Sequence, residues 1–515
     1  MYNFARSFIV AIIYNILFAC PVLWLKTLYQ IPITLELYVE WMIAFLSCWL
    51  LFHLLLLLGR FGKLLIGLFF AIGSIVNYYI FTFGKGLDIG VVIDALSIES
   101  ELILELVSVG PMLLFVLFFY FGMWLCQKIK ARQSVLYSLI FVTLLSLTLA
   151  TRGFSARNYA MVYTNHQPFG LFYNVYKFYT KYLPERQKVK NKISLVKNYQ
   201  FNYEQSTKPL VVVFVIGESL RGDLLEINGY AVNNMPLLSK RRDNLISFSA
   251  ARSSETATRL SLPYMLTRAS FPAWEQANSE EGIISIFKSL GFKTSWIGNQ
   301  GLFGVYETTF ASHALEADYV VTNLDVISML GSVDVYDESL LPYIKNQIIE
   351  SSNSNHFIVM HMLGSHWSFA QRYPKKFASF LPSCEKGAPS QCSEAEVLNA
   401  YHNSITYSDY VLNELLEYLS DKNALVYFSS DHGVSLGEGG VYGQGASGDN
   451  VPEVQHNIAM FLWMSDYFAK HNQESFNLVK IKKDRPLSHD NIFHSILDCT
   501  GVKSSIIEKN LSVCH

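Results

Sequence analysis

The chain has 515 residues, 51% of them hydrophobic and only 16% charged, and its formal net charge is -2. An average this apolar excludes an ordinary soluble enzyme and points to a membrane protein, while near-neutral charge excludes nucleic acid as the main partner. The apolar residues are concentrated in long runs before residue 150, whereas after about residue 205 short strand-like runs alternate with helical stretches.

Five early runs are long enough to cross a bilayer, which takes roughly 20 mostly apolar residues: Phe8 to Leu25, Trp41 to Leu58, Leu64 to Phe83, Leu106 to Leu125 and Val135 to Leu149, the last being short. Arg6, then Arg60 and Lys63, then Lys128, Lys130 and Arg132 mark alternate loops. The loops between them carry Glu36, Glu40, Asp88, Asp94, Glu99, Glu101 and Glu105. Basic loops stay cytoplasmic, so the amino terminus is expected inside and everything after about residue 150 outside. The first run is read as a helix rather than a cleaved signal, because it lacks a small-residue cleavage site and Trp24 with Leu25 continue it. Asn15, His53 and Asn77 fall within the spans; such residues are most often satisfied between helices, and no role is assigned to them.

Residues 151–207 are crowded with Tyr and Phe and dotted with Arg and Lys. That mix suits the headgroup layer, so an interfacial linker is expected there. Cys20, Cys48 and Cys126 sit in or beside spans, where a thiol is a small apolar group. Cys384 and Cys392 flank one short loop, Cys499 and Cys514 another. Of the three pairings that four cysteines allow, these two local ones are expected in an oxidising compartment.

Residues 208–515 open on a continuous apolar run from Leu210 to Ile216, the mark of a strand covered on both faces. Similar runs at Lys293 to Ile297, Phe357 to Met362, Ala424 to Phe428 and Met460 to Met464 alternate with helical stretches such as Glu281 to Leu290 and Glu394 to Leu419. The fold class is therefore α/β with a central, mostly parallel sheet. Ligands gather at the carboxyl ends of the strands in such sheets. Two strands end there on chemistry, one on Glu218 and the other on Asp431 and His432.

Carboxylates and an imidazole at strand ends read as metal ligands, against the plainer reading of polar turns. Between them Thr256 and Thr258 stand in a loop that leads into a helix, ahead of Ser261 and Pro263. A helix amino terminus favours phosphate, although an N-cap run has the same composition. A threonine hydroxyl is too weakly acidic to attack phosphorus unaided, and a divalent metal on Glu218, Asp431 and His432 would lower its pKa and orient it. The segment Gly433 to Gly437 also fits G-x-S-x-G, which would make Ser435 an esterase nucleophile. Glu453 with His456 is too tightly spaced for that triad, and Asp484 with His489 leaves Glu218 and Thr256 unexplained. His356 and His361 read as packing residues. Arg221 and Arg259 read as surface residues that suit phosphate recognition, and His456 as a contact behind the ligands or to phosphate.

Together, GES at Gly217, the threonine loop ending in SLPYM, LGSHW from Leu363, the cysteine pair around Cys384 and SDHGVSLGEGGVY from Ser430 to Tyr442 resemble the membrane-anchored phosphoethanolamine transferases of Gram-negative bacteria, within the alkaline phosphatase and sulfatase superfamily. The resemblance covers the whole length. It implies a five-helix transmembrane domain over 1–150, the linker over 151–207 and a periplasmic sulfatase-like catalytic domain over 208–515. Counting back from SLPYM, it implies Thr256 as the nucleophile, and Glu218, Asp431 and His432 with Thr256 as ligands of Zn²⁺, with Mn²⁺ as the alternative. His366 falls on the acceptor or proton-transfer side.

The implied reaction takes phosphoethanolamine from phosphatidylethanolamine onto the threonine, releasing diacylglycerol, and then onto lipid A or a lipopolysaccharide core sugar. The implied setting is a monomer in the bacterial inner membrane. Ser254 and Tyr264 stand where lipid A-modifying members carry a disulfide, Gln444 stands where they carry histidine, and NQGLFG at Asn299 to Gly304 lacks their lysine. These departures leave a second metal and the acceptor open, and keep Gln444 and His456 as residues near substrate. A phosphoglycerol transferase of the lipoteichoic acid or glucan type would share the Glu, Thr, Asp and His set, although SLGEGGVY favours phosphoethanolamine. A soluble-type sulfatase would need C/S-x-P-x-R, which is absent around Thr256. A non-catalytic membrane sensor with a relict domain is the non-enzyme alternative, and failure to bind metal would support it.

Overall fold

The computed structural model describes residues 6–18, 35–83, 109–127, 129, 166–303, 308–322, 336–386, 389–446 and 451–515. They fall into two compact units that divide between Tyr182 and Leu183, within the expected linker.

The first unit is helical: α1 (Arg6–Phe18), α2 (Leu35–Leu56), α3 (Arg60–Phe83), α4 (Val109–Cys126) and α5 (Phe169–Lys177). Tyr14, Phe52 and Phe70 bury their rings in its core. Helices α3 and α4 lie close because Gly122 has no side chain; a Cβ there would sit 2.9 Å from the Phe70 ring. The polar residues within the expected spans find partners in part, and Asn77 Oδ1 is buried without one. His53 Nδ1 lies 3.1 Å from Ser7 Oγ, Asn15 donates to the Ala11 carbonyl and Asn77 to the Leu17 carbonyl.

Among the described residues one stretch, Arg60–Tyr78, is long and apolar enough to cross a membrane. Arg6–Phe18, Trp41–Leu56 and Gly110–Cys126 are apolar but shorter, so five crossings of full length are not present there. One reason is local: Glu36 and Glu40 fall in the opening turns of α2 and shorten its apolar part. The run at Val135 to Leu149 lies outside the described residues.

The second unit begins with α6 (Leu183–Asn191) and is built on β1 (Leu210–Gly217), β2 (Leu245–Ser247), α7 (Thr258–Leu266), α8 (Ile283–Ser289), β3 (Lys293–Gly298), α9 (Thr308–Ala314), β4 (Tyr319–Thr322), α10 (Leu341–Glu350), β5 (His356–His361), α11 (Glu394–Leu419), β6 (Asn423–Ser430), β7 (Met460–Met464) and α12 (Asp490–Cys499). The strands form one seven-stranded sheet in the order β2-β7-β6-β1-β5-β3-β4. All eight residues of β1 are buried, as its unbroken apolar run requires, because both faces of the sheet are covered. Val211, Val213 and Val215 pack with α10 and α11 on one face, and Phe357 stacks on Phe287 of α8, 4.3 Å between centroids, on the other.

The sheet is mixed. Strand β7 runs antiparallel to both β6 and β2, which an apolar run of five residues does not reveal. Strands β2 and β4 are only three and four residues long and carry no sequence signal of their own. Helix α11 has the expected bounds, and Ser393 and Glu396 close a capping box at its start. Both expected disulfides, Cys384–Cys392 and Cys499–Cys514, are formed.

Helix α6 is tied into this unit by a buried cluster. Lys192 Nζ lies 2.6 Å from Glu316 Oε1 and 2.7 Å from His313 Nδ1. Glu316 Oε2 also accepts the Gly282 N–H at 2.9 Å and the Ser285 hydroxyl at 2.8 Å, so it caps α8 as well.

Candidate metal centre and active site

Strand register sets the first half of the site. Gly217 of β1 lies opposite Ser430 of β6, so the next residues along each strand, Glu218 and Asp431, emerge side by side at the carboxyl end of the sheet. Glu218, Asp431 and His432 are fully buried. The backbone bends sharply here: Ser219 adopts φ 57°, and it is the one non-glycine residue with positive φ among the described residues. Gly364, at φ 49°, lies against the Glu218 backbone, where a Cβ would come within 2.8 Å of its carbonyl oxygen.

Each ligand candidate is held from behind. Asp431 Oδ1 accepts the N–H groups of Ser219 at 3.1 Å and His432 at 2.8 Å. Glu218 Oε1 accepts the Ser219 hydroxyl at 2.6 Å, and Oε2 accepts Gln300 Nε2 at 2.9 Å. His432 Nδ1 lies 2.9 Å from the Gly433 carbonyl, which can only accept, so Nδ1 carries a proton and Nε2 faces the carboxylates. Nε2 lies 3.2 Å from Asp431 Oδ2 and 3.4 Å from Glu218 Oε1.

Burial raises the Glu218 carboxyl, but the charges of His432 and His366 with the Ser219 and Gln300 donors outweigh it and hold the group at about 2. Burial and then the Glu218 charge push Asp431 well above its usual range. Ligand atoms of the three residues lie within 4.8 Å of one another, and Asp431 Oδ2 is buried without a hydrogen-bond donor. Two crowded carboxylates with one imidazole, sealed from water, are satisfied by a divalent cation, and the mixed oxygen and nitrogen set suits Zn²⁺. The residues fit the metal.

The second half comes from the start of α7. Thr258 Oγ1 donates to Glu218 Oε2 at 3.0 Å and lies 3.3 Å from His432 Nε2. Thr256 is held elsewhere. Its hydroxyl donates to the Ala446 carbonyl at 2.8 Å, and its own carbonyl accepts the Gly445 N–H at 2.8 Å, so it fastens the threonine loop to the 445–446 loop. Of the two threonines in this loop, the one that begins α7, Thr258, is the one whose hydroxyl reaches Glu218 and His432.

A cavity of about 720 Å³ opens beside Thr258 and is lined by His366, His432, Gln444, His456 and Gln300 among others. His366, Gln444 and His456 thus line the same cavity as Thr258. His366 Nδ1 lies 2.6 Å from the Trp367 carbonyl and His456 Nδ1 2.9 Å from the Ser253 carbonyl, which orients both rings.

Thr258 and Gln300 are site residues that the sequence reading did not assign. The strand-end rule offered a signal for Gln300, which stands two residues beyond β3 and there donates to both Glu218 and the Met362 carbonyl.

Arg259 also lines this cavity, whereas Ser435, His361, His356 and Arg221 do not. Ser435 Oγ accepts from Gln455 Nε2 at 2.9 Å, while His489 Nε2 lies 3.0 Å from the Ser430 carbonyl, so no hydrolase triad forms. His361 is buried between the edges of Trp296 and Phe310, and His356 Nε2 lies 3.0 Å from the Ser351 carbonyl. Arg221 is a correction: it is buried, paired with Asp223 at 2.7 Å and with Glu438.

A sulfatase family model matches residues 211–502. The sequence is 30% identical to the Kdo(2)-lipid A phosphoethanolamine 7''-transferase of Escherichia coli strain K12 over 327 residues, 62% of this chain and 57% of that protein. The chain thus spans little more than half the length of that relative. In structure it is similar to the integral membrane protein lipooligosaccharide phosphoethanolamine transferase A of Neisseria meningitidis, with a TM-score of 0.56 and 21% identity over 99% of this chain and 98% of that one. It is also similar to the C-terminal periplasmic domain of EcEptC from Escherichia coli in complex with Zn, with a TM-score of 0.55 and 23% identity over 62% and 89% of the two chains. These two likenesses show the fold. Since the family match covers more than half of its residues, and the mixed sheet carries acidic and imidazole side chains that could hold a metal ion at its strand ends, the chain belongs to the sulfatase family.

Proposed function

We propose that this protein is a metal-dependent phosphoethanolamine transferase that moves the headgroup of phosphatidylethanolamine to lipid A or a lipopolysaccharide core sugar. The observation that carries the reading is Thr258, whose hydroxyl lies within hydrogen-bond reach of Glu218 and beside His432 at the first residue of α7. The named relative of Escherichia coli, a Kdo(2)-lipid A phosphoethanolamine transferase, supports the same headgroup and acceptor class.

Glu218, Asp431 and His432 would hold the metal, and Zn²⁺ bound there supplies Lewis-acid stabilisation of developing charge and lowers the pKa of a neighbouring hydroxyl. Glu218 orients the Thr258 hydroxyl, and Gln300 in turn fixes Glu218. Thr258, its hydroxyl proton already given up to solvent, forms its bond from Oγ1 to phosphorus as the bond from phosphorus to the diacylglycerol oxygen breaks, and the threonine keeps the phosphoethanolamine. The acceptor oxygen then takes the phosphorus and Thr258 leaves as the alkoxide that began the cycle. His366, with Nδ1 committed to the Trp367 carbonyl, uses Nε2 to protonate the departing diacylglycerol oxygen and to accept the proton of the incoming hydroxyl. The amino terminus of α7 favours the phosphate charge.

The setting we propose is a bacterial inner membrane crossed by five helices, with residues 208–515 in the periplasm. Two disulfides support an oxidising compartment. The fold likeness to an integral membrane protein over 99% of the chain supports the anchor.

The test is mass spectrometry of lipid A and of core-bearing lipopolysaccharide after incubation with zinc-loaded full-length protein and phosphatidylethanolamine. Addition of phosphoethanolamine to either is the expected result. No addition to any acceptor overturns the transferase reading, and transfer from phosphatidylglycerol alone replaces it with the phosphoglycerol type.

A further inference from the structure

Glu255 lies three residues before Thr258 and lines the same cavity. The other ionisable side chains that line it, Arg259, His366, His432 and His456, are basic and suit a phosphate. Glu255 is the one carboxylate among the described lining residues. It is half-buried, and none of the described residues gives its carboxylate a hydrogen bond or an ion pair. Burial raises this carboxyl, with the charges of His456 and Arg259 opposing. A partly dehydrated carboxylate with no donor of its own, set beside a phosphate site, is a receptor for a cation.

Phe271 supplies a second and separate feature. It lines the same cavity with 49% of its surface exposed, and its ring stands edge-on to Tyr264, 5.8 Å between centroids. Tyr264 is in turn within electrostatic range of Glu255. The open face of an aromatic ring attracts an ammonium group. Ser254 and Tyr264, at the two positions where the resembled lipid A-modifying transferases carry a disulfide, bracket Glu255 and Thr258 in sequence.

We propose that Glu255, with Phe271 on the wall of the same cavity, forms an ammonium subsite that selects an aminoethyl headgroup over a glycerol headgroup in the donor phospholipid. The inference rests on the transferase reading and deepens it. A zwitterionic headgroup places its phosphate against Thr258 and the basic side chains and its primary ammonium against Glu255. A glycerol headgroup brings no cation and leaves that carboxylate unpaired beside the phosphate, which discriminates against it.

The experiment measures diacylglycerol release by zinc-loaded full-length protein in detergent micelles of phosphatidylethanolamine or of phosphatidylglycerol, and reads the ratio of the two rates. Glu255→Gln is expected to lower that ratio about tenfold to a hundredfold, the scale of one charge-assisted hydrogen bond, and Glu255→Asp to lower it less. Should Glu255→Gln fail to bind zinc, the ratio is read on Phe271→Leu, for which about a threefold fall is expected. An unchanged ratio in the zinc-loaded variant overturns the subsite, even if both rates fall together. Wild-type protein that releases no diacylglycerol from either lipid overturns the transferase reading itself.

Discussion

Thr258 donates its hydroxyl to Glu218 Oε2 at 3.0 Å, closing the start of α7 onto the end of β1. Two residues earlier, Thr256 spends its hydroxyl on the Ala446 carbonyl. The two threonines therefore predict different losses. Thr258→Ala should lower transfer about a thousandfold or more, the scale of a lost nucleophile. Thr256→Ala should cost about 1 kcal/mol of stability, one hydrogen bond, and leave the chemical step. Mass spectrometry of peptides trapped with donor alone checks both, with phosphoethanolamine expected on Thr258. Label on Thr256 would reverse the assignment.

Removal of metal should stop transfer and lower the melting temperature, and added Zn²⁺ should restore both, because a ligand that binds only the folded chain stabilises it. Asp431→Asn should weaken zinc binding about a hundredfold or more. Since burial and Glu218 raise the Asp431 carboxyl, a proton competes for this ligand at higher pH than for an ordinary aspartate. Zinc affinity in the wild type should therefore fall as pH is lowered through the acid range, as competition with a chromophoric chelator would show. An affinity flat with pH would remove Asp431 from the ligand set.

The Lys192–Glu316 pair makes a prediction about stability. Burial raises the Glu316 carboxyl, but the Lys192 charge and the His313 contact outweigh it and hold it at about 2, below its ordinary 4.5. A carboxyl depressed on folding contributes stability that is complete above its unfolded value and lost as pH falls through the folded one, here from about 4.5 to about 2. The loss is about 3 kcal/mol at most, and burial lowers Lys192 itself, so the pair as a whole gains less. Glu316→Gln leaves the buried Lys192 ammonium without its counter-charge, at a cost of about 3 to 5 kcal/mol at neutral pH. Thermal melting of the full chain at pH 7 and pH 3 checks this. A cost under about 1 kcal/mol would mean the cluster carries no stability.

Ser435→Ala should spare transfer. Its hydroxyl only accepts from Gln455, so the loss is about 1 kcal/mol of local stability. Loss of activity with zinc still bound would revive the hydrolase reading.

Part of this molecule was legible in advance because the relevant signals are local. A strand buried on both faces must be apolar along its length, so Leu210 to Ile216 announces β1, and the chain that leaves it must turn polar at Glu218. The same logic gave Asp431 and His432 after β6, and proximity along the chain gave both disulfides. Arg221 was misread for the complementary reason. One of its two partners, Asp223, is two residues away, but Glu438 is 217 residues away, and the packing that buries the pair is not marked in the local sequence.

What the sequence by itself determined is therefore the set of strand ends that carry Glu218, Asp431 and His432, since backbone hydrogen bonding and burial impose that pattern on consecutive residues. Which threonine meets those side chains, that Gln300 steadies Glu218, and that β7 runs against its neighbours were decided only by the tertiary structure. Those features depend on packing between segments tens to hundreds of residues apart, where a shift of two positions exchanges Thr258 for Thr256 without altering the local pattern.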